Sequence, residues 1–189
     1  MKISSILFTA AIILAAVPSL QAGEVIVYGA TQNPGKLKFS STTEIPEQLL
    51  DGQWGGTIGV RLSPKRIFGY EQNIGYSPRF AKEGVKAFQM DGNLVLQAPG
   101  NIVPYATAGV GFIVTWGKEI QENSVPEEIA AAAFSFGADF TYNYGGGIKL
   151  RRIAGPLGLN VDLRGYTVPN ARDGSLSFIQ VGFGAVITW

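Results

Sequence analysis

The sequence predicts an all-β fold, an eight-stranded antiparallel up-and-down transmembrane β-barrel. Three observations predict it: a two-faced strand ends the chain, seven earlier segments alternate in a similar way, and glycines crowd the polar faces. Along residues 177–189 apolar side chains alternate with smaller or more polar ones, which is the period-two pattern of a strand. At about 3.3 Å per residue this strand is about 40 Å long, enough to cross a bilayer core of about 30 Å at a tilt.

Residues 1–22 have the pattern of a secretory signal peptide, which leaves a barrel domain at 23–189. Lys2 is the positive start, an apolar core follows, and Leu20-Gln21-Ala22 is a cleavage site. The alternative is a retained membrane anchor, which the short apolar core and Pro18 disfavour. Without the signal the chain has 14 basic and 14 acidic residues, so its charge favours no nucleic-acid partner.

The first strand is predicted over 24–31, which is rich in β-branched residues, although its two faces are not well separated. A long polar connection follows. Within it, Pro46–Gly52 is predicted to form one helical turn, because Pro begins it, an acid follows and Gly ends it.

Strands two to five are predicted from alternating apolar and small or polar residues. They cover 54–63, 67–77, 85–98 and 103–116. Prolines, glycines and charged residues separate them, as is typical of turns.

The second long polar connection covers 117–132, and Pro126–Ala132 within it is predicted to start as a short helix with acids near its positive end. Strand six then runs to Leu150, strand seven covers 159–168, and the terminal strand is the eighth. Longer connections follow the odd-numbered strands and shorter ones the even-numbered strands. This arrangement is typical of a bacterial outer-membrane barrel.

Alternation alone fits two kinds of barrel. A soluble lipocalin-like barrel would have an apolar interior carrying a small apolar ligand, whereas a membrane barrel has an apolar exterior. Glycines on the polar faces suit the narrow interior of eight strands better than a soluble surface. Aromatic residues on the apolar faces also collect near strand ends, as in the girdles of a membrane barrel. They are Tyr76, Phe88, Trp116, Phe140, Tyr142, Tyr144 and Trp189.

The chain resembles the small, porin-like outer-membrane β-barrels of Gram-negative bacteria, a group that includes the transmembrane domain of OmpA. Its last residues are similar to the signal read by the barrel-assembly machinery: Gly184, Ile187 and Trp189 match, whereas Gly182 stands in place of a polar residue. The resemblance implies location in the cell outer membrane, as a monomer. It also implies contact with outer-membrane lipids and lipopolysaccharide, and with the assembly machinery during biogenesis.

The chain has no cysteine and no histidine. Disulfides, a lipid-modified N-terminus, most catalytic triads and zinc sites are therefore excluded. A Ser–Lys pair is conceivable, but no spacing singles one out. Outer-membrane enzymes of this architecture rely on a catalytic His, so the resemblance implies a non-enzymatic protein without cofactor or metal. Its expected role is structural, surface contact or minor small-solute permeability.

Seven charged residues are predicted to point into the barrel. They are Arg61, Glu71, Asp91, Asp139, Lys149, Asp162 and Arg164. Buried charges are costly unless paired, so we expect a hydrogen-bonded network that fills the lumen. The alternative is a polar path for small solutes, or a gate made by switching ion pairs.

Acidic residues of the long connections could bind a divalent cation that bridges lipopolysaccharide, or form ordinary solvated loops. They are Glu44, Glu47, Asp51, Glu119, Glu122, Glu127 and Glu128.

Overall fold

The computed structural model describes residues 22–35, 38–39, 52–117, 126–171 and 174–189. Its strands are β1 (Ala22–Pro34), β2 (Lys38–Phe39), β3 (Gly55–Pro64), β4 (Phe68–Arg79), β5 (Lys86–Gln97), β6 (Ile102–Trp116), β7 (Gly137–Ala154), β8 (Leu157–Ala171) and β9 (Gly174–Thr188). One helix, α1 (Pro126–Ala133), lies between β6 and β7. Within these residues no helix is long and apolar enough to cross a bilayer.

The long strands form a closed antiparallel barrel in which sequence neighbours pair, in the order β1-β3-β4-β5-β6-β7-β8-β9. Pairing of β1 with β9, from Glu24 opposite Thr188 to Pro34 opposite Phe178, closes it. The short β2 pairs with Ser175 and Gly174 at the start of β9. The predicted eight-stranded barrel is therefore confirmed, and the terminal strand is not an exposed edge.

Two ends of the barrel differ. The end that carries Ala22, Trp189 and the short turns is called the turn end here, and the end that carries the long connections is called the loop end. The predicted helix at Pro126–Ala132 is present as α1, at the loop end. Residues 1–21 and nearly all of Pro46–Gly52 lie outside the described residues.

Several strands, among them β1, β7 and β8, extend beyond their predicted ends, whereas β5 is shorter than predicted. We expected strand six to end at Leu150, but β7 continues to Ala154 because Arg151 still points inward and Ile153 outward. The turn to β8 is made at Gly155, whose φ of 62° is a conformation that glycine adopts without strain. The predicted connection at 151–158 therefore shrinks to a tight turn.

The outer wall is apolar and the inner face of the middle barrel is polar. Outward side chains such as Ile58, Tyr144 and Phe183 are more than 60% exposed. Inward side chains such as Arg61 and Arg164 are completely buried. The soluble lipocalin-like alternative, which requires the opposite arrangement, is therefore excluded.

Candidate functional site

The barrel interior is the part of the structure where charged and polar side chains converge, so it is the candidate site. Three layers fill it, from the turn end to the loop end. A turn-end cluster surrounds Lys149, a central cluster surrounds Arg61 and Arg164, and an apolar plug closes the loop end.

Lys149 organises the turn-end cluster. Its Nζ donates hydrogen bonds to Glu24 Oε2 at 3.0 Å, Ser63 Oγ at 2.8 Å and Gln97 Oε1 at 3.0 Å. All three ammonium protons therefore have acceptors. The second oxygen of Glu24 accepts from Nε of Arg151, so this carboxylate faces two cations. Such pairing lowers the cost of burying charge.

Ser63 and Lys149 form the Ser–Lys pair that sequence spacing did not single out. A serine nucleophile needs a neutral lysine as its base and a substrate within reach. Here Lys149 forms an ion pair with Glu24, and both Ser63 and Lys149 have no solvent-exposed surface. The geometry therefore holds the lysine as a structural cation.

The central cluster is an ion-pair chain across the barrel. Arg61 Nη1 pairs with Asp162 Oδ2, which also accepts from Arg164 Nε at 2.9 Å. Arg164 Nη2 reaches Glu71 Oε1 at 2.8 Å. The guanidinium of Arg61 lies 3.9 Å from the centre of the Tyr28 ring, a cation–π contact.

Gly182 makes room for this chain. A Cβ at Gly182 would overlap the carboxylate of Asp162, so a larger residue would push Asp162 away from Arg61. The glycines of the polar faces thus serve close packing inside a narrow barrel.

Asp91 is held differently, because its hydrogen-bond donors are neutral groups and it forms no ion pair within the described residues. It accepts hydrogen bonds from Asn73 Nδ2 and Gln89 Nε2, each at 2.7 Å. Thr141 Oγ1 and Tyr166 Oη donate longer ones, of 3.4 and 3.5 Å.

Opposite charges balance within the barrel strands that the structure describes. The buried acids are Glu24, Glu71, Asp91 and Asp162, and the buried bases are Arg61, Lys149, Arg151 and Arg164. A neutral interior avoids the electrostatic cost that an excess of one sign would impose in low dielectric.

The apolar plug fills the loop end. It is a single cluster of buried side chains. They come from the inner faces of the strands, from the β4–β5 connection, from α1 and from Phe134, which directly follows α1. Its members are Phe80, Ala81, Val85, Ala87, Ile113, Ala131, Ala133, Phe134, Tyr166, Val168, Ala171, Leu176 and Phe178, with Phe136 packed against them.

Three aromatic rings pack against one another in the plug. Phe178 meets Phe80 edge-on, with ring centres 5.3 Å apart, and stacks on Tyr166 at 4.9 Å. The chain after α1 is fixed to the wall because Thr115 Oγ1 accepts from the backbone N–H groups of Phe136 and Gly137, at 2.9 and 3.2 Å.

The structure buries six of the seven charged residues predicted to face the lumen: Arg61, Glu71, Asp91, Lys149, Asp162 and Arg164. Asp139 differs, because it lies opposite Ile113 at the level of the plug, is only partly buried, and has no ion pair within the described residues. Two members were missed, Glu24 and Arg151. Glu24 lay within the predicted first strand, but the apolar Ile26 and Tyr28 share its inward face, so no polar face stood out. Arg151 directly follows Leu150, where strand six was predicted to end.

The residues of the predicted assembly signal lie on β9 and just after it. Ile187 and Trp189 are 40% and 63% exposed on the outer wall, and Gly184 lies inside, close against β1. The chain end is tied down, because the Trp189 N–H donates to the Gly23 carbonyl at 3.2 Å and Lys65 Nζ donates to the Trp189 carbonyl at 3.1 Å.

The described residues contain no group of three or more side chains placed to hold a metal ion. Most acids suggested for a bridging cation, Glu44, Glu47, Asp51, Glu119 and Glu122, lie outside the described residues.

No family model and no curated protein matches the sequence. Solved structures do match. A crystal structure of the Neisserial surface protein A, NspA, aligns with a TM-score of 0.63 over 88% of this chain and 96% of that chain, at 9% identity. The chain has the fold of the small outer-membrane β-barrels. The outer membrane enzyme PagL also aligns, with a TM-score of 0.51 over 87% of this chain and 99% of that chain, at 15% identity.

The predicted resemblance to small outer-membrane barrels is thus confirmed at the level of the fold. A closed barrel with an apolar outer wall belongs in lipid, because only there does its surface escape water without aggregation. Together with the fold, this supports the predicted outer-membrane location. In that orientation the turn end is periplasmic and the loop end extracellular.

Proposed function

We propose that this protein is a closed, non-enzymatic outer-membrane barrel with a structural and surface-contact role. The observation that carries the proposal is the plug at the extracellular end, stacked on a charge-balanced polar interior. A solute entering from outside would have to displace packed aromatic rings and then separate buried ion pairs. Both steps are costly.

The same arrangement disfavours minor small-solute permeability. Interiors of eight-stranded barrels are just filled by side chains, and here the buried bases Arg61 and Arg164 occupy the central cross-section with their acid partners. The protein would therefore act through its lipid-facing wall and its extracellular connections. Contact with outer-membrane lipids and lipopolysaccharide, recognition by the assembly machinery and a monomeric state belong to this proposal.

The non-enzymatic assignment has its own support. PagL is an outer-membrane enzyme, but a shared fold at 15% identity carries no activity to this chain. The chain lacks His and Cys, and its Ser63–Lys149 pair is buried with the lysine in an ion pair.

Two measurements on the refolded protein test this proposal. In proteoliposomes, swelling in a small sugar such as arabinose should equal that of protein-free liposomes, with a general porin as the positive control. A fluorophosphonate probe should leave Ser63 unlabelled. Sugar entry above the protein-free rate would show that the barrel is permeable to small solutes. Labelling of Ser63 in the wild type, and its loss in Lys149→Met, would indicate an enzyme.

A further inference from the structure

The outer wall of the barrel carries a groove in its extracellular half. One part, of about 750 Å³, lies over β3 between β1 and β4. Outward side chains form its walls: Val27, Ile58, Val60, Ile74, Tyr76 and Phe88. The groove is an open trough on the wall and not an enclosed cavity, and its lining is almost entirely apolar.

A second part, of about 380 Å³, lies over β1 between β9 and β3, where Val181 and Phe183 form its far wall. Both parts share Gly29 and Ile58, so they form one continuous groove. Gly29 is the floor of the junction. It faces outward, and a Cβ built there would meet no atom within 4 Å.

Two basic residues lie on the strands beside the extracellular end of this groove. The guanidinium of one of them, Arg79, donates a long hydrogen bond of 3.4 Å to Gln53 Oε1. Arg79 directly follows Pro78, which lines the groove, and pairs with Gly56, which also lines it. Lys86 is two residues before Phe88, which forms the wall of the larger part. Both are exposed. One acid, Glu83, is exposed in the same connection, so the local described excess is positive.

An apolar groove that meets cations at the membrane surface fits a lipid with acyl chains and a phosphate headgroup. Arg is suited to phosphate because its guanidinium offers paired donors, and Lys adds a point charge. Most of its lining residues lie between mid-barrel and the extracellular strand ends, so its ligand belongs to the outer leaflet.

We propose that this groove binds an acyl chain of a phosphorylated, multiply acylated glycolipid of the lipid A type, with Arg79 and Lys86 at its phosphate. This rests on the outer-membrane location and deepens the proposed lipid contact, because it assigns that contact to one site.

Gly29→Leu fills the groove without disturbing the interior, because Gly29 faces out into open space. Ala108→Leu is the matched control, because Ala108 is an exposed residue of β6, away from the groove. Arg79→Gln with Lys86→Gln tests the headgroup contact. Lys65→Gln with Arg66→Gln, at the periplasmic turn, is its control. Heat-dependent gel mobility verifies that every variant folds.

The readout is native mass spectrometry of barrels released from micelles that contain equal amounts of lipid A and phosphatidylethanolamine. We expect the wild type, Ala108→Leu and the periplasmic double variant to retain one lipid A. Gly29→Leu should reduce the lipid-bound fraction at least fivefold, and the Arg79/Lys86 double variant at least tenfold.

Equal retention by Gly29→Leu and the wild type would overturn the assignment, as would equal binding of phosphatidylethanolamine. If the wild type is a dimer and Gly29→Leu dissociates it, the groove binds a second copy of the chain and not a lipid. None of these variants changes the plug or the ion pairs, so absence of lipid binding would leave the closed-barrel proposal intact. Sugar entry into proteoliposomes would contradict the closed barrel and would not bear on the lipid site.

Discussion

Tyr166 stacks on Phe178 with ring centres 4.9 Å apart and ring planes inclined by 10°, while its hydroxyl donates to Asp91 at 3.5 Å. One side chain therefore belongs both to the apolar plug and to the polar interior beneath it. The two layers are continuous at this point.

Truncating Tyr166 should separate these two roles. Tyr166→Phe removes one long hydrogen bond to an acceptor with three other donors, so we expect a loss of about 1 kcal/mol. Tyr166→Ala also opens a cavity in the plug and should cost about 3–5 kcal/mol. Urea unfolding in lipid vesicles, followed by tryptophan fluorescence, measures both. Equal losses would mean that the ring packing contributes nothing.

The turn-end cluster predicts an asymmetry between its members. Glu24→Gln leaves Lys149 and Arg151 facing each other without a carboxylate, and should cost about 3–5 kcal/mol. Lys149→Met leaves Glu24 paired with Arg151 and should cost less. Because the two residues interact, the double variant should lose less than the sum of the single losses in the same unfolding assay. Additive losses would contradict a coupled cluster, and Arg66→Met, at an exposed residue, is the neutral control.

Gly182 and Gly29 offer a matched pair of glycine substitutions. Gly182→Ala places a methyl group where the Asp162 carboxylate lies, so we expect a loss of about 1–3 kcal/mol through overpacking. Gly29→Ala meets open space and should change the free energy of unfolding by less than about 0.5 kcal/mol. If both substitutions prove neutral, Asp162 is not fixed as described.

The chain end carries the predicted assembly signal. Trp189→Asp should sharply lower the heat-modifiable, folded fraction in the outer membrane, because it replaces the terminal aromatic residue by a charge. Secretion across the inner membrane should be unchanged. Trp54→Asp, the same change at an exposed residue just before β3, controls for loss of a surface tryptophan. Wild-type assembly of Trp189→Asp would argue against the signal.

Strand periodicity was enough to predict the barrel, because every wall residue must face either lipid or the lumen and the alternation records that choice. It also pointed seven charged residues inward, of which the structure buries six. Glu24 was missed because the apolar Ile26 and Tyr28 share its inward face, which hides the alternation. Arg151 was missed because strand six was expected to end at Leu150.

The apolar plug could not be predicted in this way. Phe80 and Phe134 come from connections without regular periodicity, and Phe178 is an apolar residue on a face expected to be polar. Which faces and loops meet at the extracellular end depends on barrel closure, which brings together residues far apart in sequence.

The central claim is that the interior is sealed, and single-channel recording of the purified wild type in planar bilayers tests it most directly. We expect no current steps above the bare bilayer at any applied voltage, while a general porin in the same bilayer conducts. Reproducible single-channel steps from the wild-type barrel would contradict a closed interior.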